Sequence, residues 1–295
     1  EDITLSDTSI SSTYDVSNLN TLDGYTSGIV NAGTLTSVSG LLSDLITSYQ
    51  ASGITNLGNE AITLKDTGTV AASHLTTLAS LNSTGTINAS SVSTITGSAT
   101  EIIAVYSDSK ITKPTAADLT VNSGTVSVDQ GRSLNAYTLG IVTGTITPGT
   151  TIAQMLDGAV TTDDLITKGL TEPNLANAYT ITIDSSDSSV KATDLTLLNS
   201  LTTVAIDASS VTEITGSILE TMLVYARVPD ELSNLGNEDV IITDTVSSDV
   251  HVINLINDAT TGTINAESIT ALTGSASDLN TLLTAGNNVS VANQF

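Results

Sequence analysis

A period of about 59 residues is the feature that most constrains how this sequence folds, because a fixed period of this kind dictates a repeat architecture. One anchor of the period is a short apolar, strand-like segment that begins at Ile3, Ile62, Leu119, Ile181 and Val240. A second anchor keeps the same spacing and begins at Gly28, Gly85, Gly144, Val204 and Gly262. Two independent anchors with one period indicate a tandem-repeat protein.

The period divides the chain into five units with the boundaries 1–60, 61–117, 118–179, 180–238 and 239–287, and 288–295 begins a further coil. Each unit alternates strand-like and helix-like patterns twice. One coil cannot bury its apolar face alone, whereas stacked coils can. The sequence therefore predicts a single elongated α/β repeat solenoid over 1–295. Each unit is expected to contain two strand–turn–short-helix coils, and the strands are expected to stack in parallel.

Composition agrees with narrow, repeated core layers. Aromatic residues make up only 3% of the chain, there is no Trp, and the apolar content is mostly aliphatic. Paired leucines and their neighbours on the helical segments are expected in the core: Leu19 and Leu22, Leu75 and Leu78, Leu195 and Leu198, Ile253 and Leu255. The same is expected of the residues nine positions after the helix-preceding glycine, which are Tyr49, Tyr106, Tyr225 and Leu283.

A Ser-x-x-acid pattern marks the start of the second helix of a unit. The three copies are Ser98 with Glu101, Ser217 with Glu220, and Ser275 with Asp278. In such a capping box the serine oxygen accepts a free backbone N–H while the acid reaches back to the cap. An Asp side chain is less suited than a Glu side chain to reach back to the N-cap residue. The middle unit lacks this Thr-Gly-Ser start and carries Asp129-Gln130-Gly131-Arg132 instead.

The charge balance excludes several classes of partner. The chain has 31 acidic and 7 basic residues, a net charge of −24. Nucleic acid and anionic membrane surfaces are therefore not expected as partners. No apolar run is long enough to span a membrane. Nucleophile elbows, histidine clusters and phosphate-binding loops are also missing from the sequence, which predicts that the protein is not an enzyme.

Polar residues follow the predicted strands and have two interpretations. They are turn-forming Asx residues, or they are carboxylate ligands of Ca²⁺. The candidate calcium ligands are Asp7, Asp66, Asp184, Asp207 and Asp244. Neither the EF-hand loop nor the glycine-rich nonapeptide accompanies them, so Ca²⁺ is the alternative interpretation and no other cofactor is expected.

Both ends of the chain are in phase with the repeat. It opens on the strand of Ile3 and Leu5 and closes on Val289 and Val291, which resemble the first strand of a sixth unit. An uncapped end exposes an apolar layer and a strand edge. These four residues are therefore the candidates for end-to-end contact, either with another copy of the chain or with flanking repeats of a longer one.

Several motifs resemble repeats of very large surface or secreted proteins of bacteria, notably marine cyanobacteria. They are Leu19-Asn20-Thr21-Leu22-Asp23-Gly24-Tyr25-Thr26-Ser27-Gly28, Ile95-Thr96-Gly97-Ser98-Ala99, Leu57-Gly58-Asn59-Glu60-Ala61 and Leu235-Gly236-Asn237-Glu238-Asp239. The resemblance covers most of the chain except the middle unit. It implies an extracellular structural or adhesive role: a filament or sheath subunit, or the stalk of a surface adhesin. The alternative is a module of a surface layer or phage fibre that binds glycan or Ca²⁺.

Overall fold

The computed structural model describes residues 1–10, 15–156, 177–284 and 288–292. The chain is an α/β fold that divides into two compact units, Glu1–Gly144 and Thr145–Phe295. Ten helices lie in the described residues, and every strand pair found there within a unit is parallel.

The first unit alternates short strands with short helices. Its helices are α1 Ser17–Tyr25, α2 Leu42–Gln50, α3 Ala72–Leu81, α4 Ala99–Ser107 and α5 Val128–Tyr137. Its strands are β1 Ile3–Thr4, β2 Ser9–Ile10, β3 Val30–Asn31, β4 Ser37–Gly40, β5 Ile54–Thr55, β6 Ala61–Leu64, β7 Thr69–Ala71, β8 Ile87–Asn88, β9 Thr94–Gly97, β10 Ile111–Thr112, β11 Asp118–Val121 and, at its end, β12 Val142–Thr145.

The second unit repeats this alternation. Its helices are α6 Ile152–Leu156, α7 Ala192–Asn199, α8 Ile218–Tyr225, α9 Val250–Ala259 and α10 Ala276–Leu283. Its strands are β13 Ala178–Thr180, β14 Ser189–Lys191, β15 Ile206–Asp207, β16 Glu213–Gly216, β17 Leu232–Ser233, β18 Asp239–Ile242, β19 Ser247–Asp249, β20 Ile264–Ala266, β21 Ala271–Thr273 and β22 Val289–Val291.

Strand pairing explains the length of the repeat period. Ile62 pairs with Ile87, and Ile87 pairs with Ile111. Two turns of the chain of similar length, which we call circuits, therefore return it to the same stack of paired strands, which we call a column. A short step then leads from Ile111 to Leu119, which pairs with Ile95 in the neighbouring column. The second unit repeats the step, with Leu232 in one column and Val240 in the next. One period is therefore two circuits and one sideways step.

Each coil therefore differs from the predicted strand–turn–helix. A coil has two short strands before its helix, as in β8, β9 and α4. In three repeats the opening strand, which is β6, β11 or β18, stacks on the second strand of the coil before it, and this moves the chain sideways by one column. We call β1, β6, β11 and β18 the opening strands. We call β4, β9, β16 and β21 the receiving strands.

The core lies between the strands and the helices of each coil. Inward positions alternate along the strands, so Ile62 and Leu64 of β6 are buried while Ala61 and Thr63 are exposed. Leu75 and Leu78 are fully buried on α3, as the helical spacing predicts. Two core predictions are wrong: Leu255 is 41% exposed because Ile253 and Ile256 form the inner face of α9, and Leu283 at the end of α10 is 57% exposed.

The register corrects one sequence anchor and the interpretation of the middle unit. Val142, not Ile146, occupies the strand position, so Gly140 is the equivalent of Gly28 and the anchor predicted at Gly144 is displaced. The middle unit does have a helix start, because Ser127 caps α5 through a reciprocal pair with Gln130. Part of the predicted unit 118–179 and of 288–295 lies outside the described residues.

Candidate functional site

The candidate functional residues of this fold are the polar side chains that form contacts between successive coils. A threonine two residues before a glycine anchor position donates its hydroxyl to a carbonyl of the preceding coil, as Thr260 does to Glu238 O at 2.7 Å. The same hydroxyl accepts the N–H of Gly262 at 3.0 Å. Equivalent threonines are Thr26, Thr138 and Thr202, and the amide of Asn82 takes the place of the hydroxyl over Glu60 O.

Close packing at this contact explains the repeated glycine. A Cβ at Gly262 would lie 2.2 Å from Glu238 O, and one at Gly85 would lie 2.1 Å from Glu60 O. Such distances are far inside van der Waals contact, so a side chain would push the two coils apart. The close approach of the neighbouring backbone therefore explains the glycines at 85 and 262, whereas one copy of the anchor has Val204 at this position.

Aspartates make the next set of contacts between coils. Asp239 accepts the N–H of Thr263 at 2.7 Å, and Asp2 and Asp118 accept equivalent N–H groups of the following coil. The bonds from the N–H and the hydroxyl of Thr263 lower the pKa of Asp239 below its usual value. Acceptors of this kind satisfy N–H groups that lie beyond the ends of the short strand ladders.

Four of the five candidate calcium ligands accept hydrogen bonds through their carboxylates in the same structural way. Asp66 accepts the N–H of Leu42 at 2.8 Å, and Asp244 accepts that of Ile218 at 2.7 Å, so each caps a helix of the preceding coil. Asp184 accepts from Ser186, and Asp207 from Ser209 and Asn234. The side chain of Asp7 is exposed, and its backbone carbonyl accepts from Thr34.

The structure does not bring these aspartates together. In the part of the chain that it describes, no group of three or more His, Cys, Asp or Glu side chains could hold a metal ion. The pKa of Asp207 is lowered chiefly by the amide of Asn234, and that of Asp184 by the hydroxyl of Ser186. Their oxygens therefore serve as turn acceptors.

The predicted capping boxes form at two helices and half-form at the third. Ser98 accepts from Glu101 N at 3.2 Å while Glu101 accepts from Ser98 N at 2.7 Å, and Ser217 and Glu220 repeat this exchange. Ser275 accepts from Asp278 N at 3.1 Å, but the shorter Asp278 side chain accepts from the Ser275 hydroxyl. The bond from the backbone N–H of Ser98 lowers the pKa of Glu101.

Two buried carboxylates were not predicted from the sequence. Glu60 and Glu238 are 0% and 1% exposed in the repeated Asn-Leu-Gly-Asn-Glu loop. Glu238 accepts from the N–H groups of Gly236 and Asn237 and from the hydroxyl of Tyr225. Burial and the neighbouring Glu238 raise the pKa of Tyr225 well above its usual range. The signal in the sequence was the recurrence of this acid after Leu-Gly-Asn, at a similar distance from a repeat tyrosine.

An uncharged polar groove lies beside the same loop in the first unit. It has a volume of about 640 Å³. Asn31, Thr34, Asn56, Asn59 and Ser83 are among its lining residues. Asn56 adopts the left-handed conformation with φ 64° and donates to Asn31 Oδ1 at 2.8 Å. In the second unit Asp207 replaces Asn31 in this pair, so an acid takes the place of the amide.

Three of the four candidate end-contact residues lie on the strands β1 and β22, and Leu5 directly follows β1. Ile3 and Leu5 are only partly buried, whereas the equivalent Ile62 and Leu64 of β6 are 1% and 3% exposed. The strand β1 pairs with β3, and β22 with β20, at the ends of their sheets in the described residues. Val289 and Val291 of β22 are likewise partly buried.

Comparison with known proteins identifies no relative of this chain. The chain matches no protein-family model, no curated protein and no solved structure. Among the described residues, no helix is long and apolar enough to cross a membrane.

Proposed function

We propose that this protein is an extracellular structural component built as an α/β solenoid of about five units, each of about 59 residues. It acts as an end-to-end stacking subunit of a filament or sheath, or as a stalk segment of a large surface adhesin. The observation that carries the proposal is the regular exchange of contacts between coils. In the described part of the chain, strand ladders, threonine bridges and aspartate caps join many successive coils and use polar groups that a catalytic site would need free.

The energetics of such an array fit a mechanical role. In repeat proteins stability is close to a sum of unit terms and nearest-neighbour interface terms. Here the interfaces combine buried aliphatic residues with hydrogen bonds at each join, and the buried apolar side chains are distributed along the chain rather than collected in one centre. The net charge of −24 keeps the lateral surfaces apart, which favours growth through strand edges over sideways aggregation.

Negative-stain microscopy of the purified chain, with sedimentation at several concentrations, tests this proposal. Filaments or concentration-dependent oligomers of uniform width are expected. A globular monomer that stays monomeric at every concentration would contradict the subunit form. Force spectroscopy on single chains tests the proposal that the chain is a stalk segment. We then expect stepwise unfolding in increments of one or two coils.

A second candidate function is glycan binding, with Ca²⁺ as the other ligand considered. The observation that favours glycan is the neutral, hydrogen-bonding groove beside Asn56 in a chain that is otherwise strongly acidic. A glycan array with the unaltered chain and with Asn59→Ala tests it, because Asn59 lines the groove and the change removes its amide. A hit that survives Asn59→Ala places binding elsewhere. A melting curve that is the same in Ca²⁺ and in EDTA argues against a calcium module.

A further inference from the structure

We propose that this chain forms an amide cross-link between two of its own side chains, with Lys110 Nζ bonded to Asn82 Cγ and Glu60 as the proton carrier. The link would join two neighbouring coils of the first unit by a covalent bond, which resists the tension that a stalk or filament bears. The inference goes beyond the proposed structural function, and the mass measurement that tests it does not depend on filament formation. The two proposals can therefore fail separately.

The stacking of the coils places these three residues in three successive layers. The strand β8 pairs with β6 on one side and with β10 on the other. Glu60 directly precedes β6, Asn82 lies between α3 and β8, and Lys110 directly precedes β10. Asn82 is therefore in the middle layer, with the glutamate from the layer before it and the lysine from the layer after it.

Two oxygen atoms of this cluster are buried and have no hydrogen-bond partner. Glu60 and Asn82 are both 0% exposed. The amide nitrogen of Asn82 donates to the backbone oxygen of Glu60 at 2.9 Å, and Glu60 Oε2 accepts the hydroxyl of Tyr49 at 2.6 Å. Within the described residues, Glu60 Oε1 and Asn82 Oδ1 accept no hydrogen bond. Buried polar atoms are rarely left unpaired, and a role in proton transfer is one physical reason for such an atom.

The second unit shows how close the amide is to the carboxylate. Thr260 occupies the position of Asn82, and its hydroxyl donates to Glu238 O at 2.7 Å. Burial and Glu238 raise the pKa of Tyr225, whereas a hydrogen bond with Thr260 lowers it. The side chain at this position therefore contacts the tyrosine that holds the glutamate. By the same geometry, the carboxamide of Asn82 lies beside the carboxylate of Glu60.

The ammonium group of Lys110 comes from the following coil and contacts the backbone of Asn82. Its Nζ donates to the backbone oxygen of Ala79 and, at 3.5 Å, to that of Asn82. These carbonyls belong to the C-terminal end of α3, whose partial negative charge attracts a cation. Rotation about the side-chain bonds of Lys110 carries Nζ from the backbone oxygen of Asn82 to the carboxamide of the same residue. The amine is thus held next to its reaction partner, which raises its effective concentration.

The reaction exchanges one amide for another and needs no co-reactant. Glu60 takes a proton from the Lys110 ammonium, and the neutral amine attacks Asn82 Cγ, so that Oδ1 carries the negative charge of the tetrahedral intermediate. The protonated Glu60 then donates to Nδ2, the bond between Cγ and Nδ2 breaks, and ammonia leaves. Nζ gives its second proton to Glu60, which passes it to the ammonia. The products are a secondary amide and an ammonium ion, so atoms and charge balance.

The second unit lacks both reacting groups and so provides an internal comparison. It keeps the buried Glu238, but Thr260 stands in the place of Asn82. The pairing of β22 with β20 matches that of β10 with β8, so Asn288 stands in the place of Lys110. The cross-link is therefore expected in the first unit and not at the equivalent position of the second.

Intact-mass spectrometry of the purified chain, before and after prolonged incubation at neutral pH, tests the proposal directly. The chain is expected to be lighter than the mass calculated from its sequence by one molecule of ammonia. Trypsin locates the change in the denatured protein, because it does not cleave after an acylated lysine and Lys113 is followed by Pro114. Residues 66–132 should therefore remain one fragment, whereas the fragment 228–295 should keep its calculated mass.

Four variants separate the cross-link from the fold, and circular dichroism checks that each is folded. Lys110→Arg keeps the positive charge at the end of α3 but lacks the primary amine, and Asn82→Thr copies the residue at 260. Neither should lose ammonia. Glu60→Gln keeps the size of the side chain but cannot carry the proton, so most of the chain should keep its full mass. Lys113→Arg is the matched control and should lose ammonia as the unaltered chain does.

The full calculated mass in the unaltered chain after incubation would overturn the proposal. A loss of ammonia in Lys110→Arg would overturn it as well. So would a loss with Lys110 still cleaved by trypsin, because ring closure of Asn82 onto the backbone nitrogen of Ser83 also releases ammonia and does not involve the lysine. Filaments formed by a chain of full mass would leave the proposed function standing without the cross-link, and a lighter chain that never assembles would do the reverse.

Discussion

Replacing Tyr225 with Phe removes a single hydroxyl from one of the most buried polar contacts of the second unit. This hydroxyl donates to Oε1 of Glu238, whose Oε2 accepts the N–H groups of Gly236 and Asn237 at 2.7 and 3.0 Å. In the Phe variant Oε2 keeps both donors, but Oε1 loses the tyrosine hydroxyl in a site where the glutamate is 1% exposed.

The size of the stability loss depends on whether the hydrogen-bond acceptor is charged or neutral. Losing a hydrogen bond to a buried charged group costs about 1.5–3 kcal/mol, because the acceptor stays desolvated. Tyr106→Phe is the matched control, since Tyr106 donates to the neutral carbonyl of Pro114 at 3.2 Å and keeps its stacking on Tyr137. A bond to a neutral group contributes about 0.5–1.5 kcal/mol. Tyr225→Phe should therefore lower the free energy of unfolding by roughly 1 kcal/mol more than Tyr106→Phe does.

Urea titrations followed by far-ultraviolet circular dichroism measure both changes. The midpoint should fall further for Tyr225→Phe, with the slope of the transition unchanged. A Tyr225→Phe variant that loses no more stability than Tyr106→Phe would refute the reasoning, because it would mean that the carboxylate finds another donor or reaches water.

Three further perturbations probe the contacts that hold the coils together. Ser217→Ala should cost about 1 kcal/mol and Ser275→Ala less, since only Ser217 takes part in a full capping box; thermal melts compare them. Gly262→Ala should destabilise by about 1–3 kcal/mol through its clash with Glu238 O, while Gly68→Ala, which has open space, should be neutral in the same melts. Asp239→Asn should lower the melting temperature at neutral pH. Because folding lowers the pKa of Asp239, its contribution to stability is present above the unfolded pKa of 3.8 and is lost as the pH falls through the folded pKa. The difference in melting temperature between Asp239→Asn and the unaltered chain should therefore vanish in acid.

Sequence reasoning predicted the helix starts and the buried leucines because these depend on local chemistry. Ser98 and Glu101 are three positions apart, and the helix brings them together without help from the rest of the chain. Leu75 and Leu78 likewise share one face by helical spacing alone. The weaker reach of Asp278 also followed from side-chain length.

The parts that sequence reasoning missed depend on which coil lies next to which. The short step that moves the chain into a new column leaves no local mark, because the opening strand at Ile62 and the returning strand at Ile54 have the same Ile-Thr pattern. Leu255 was placed in the core from its proximity to Ile253, whereas the helix turns it outward. The roles of Asp66 and Asp244 as caps for helices of another coil became visible only when the coils were stacked.

The proposed structural role depends on coils that stack through parallel strands, and cryo-electron microscopy of the assembled protein tests it most directly. We expect filaments in which parallel strands are spaced by about 4.8 Å along each column. Filaments joined through lateral helix faces, or particles that remain single chains at all concentrations, would contradict it.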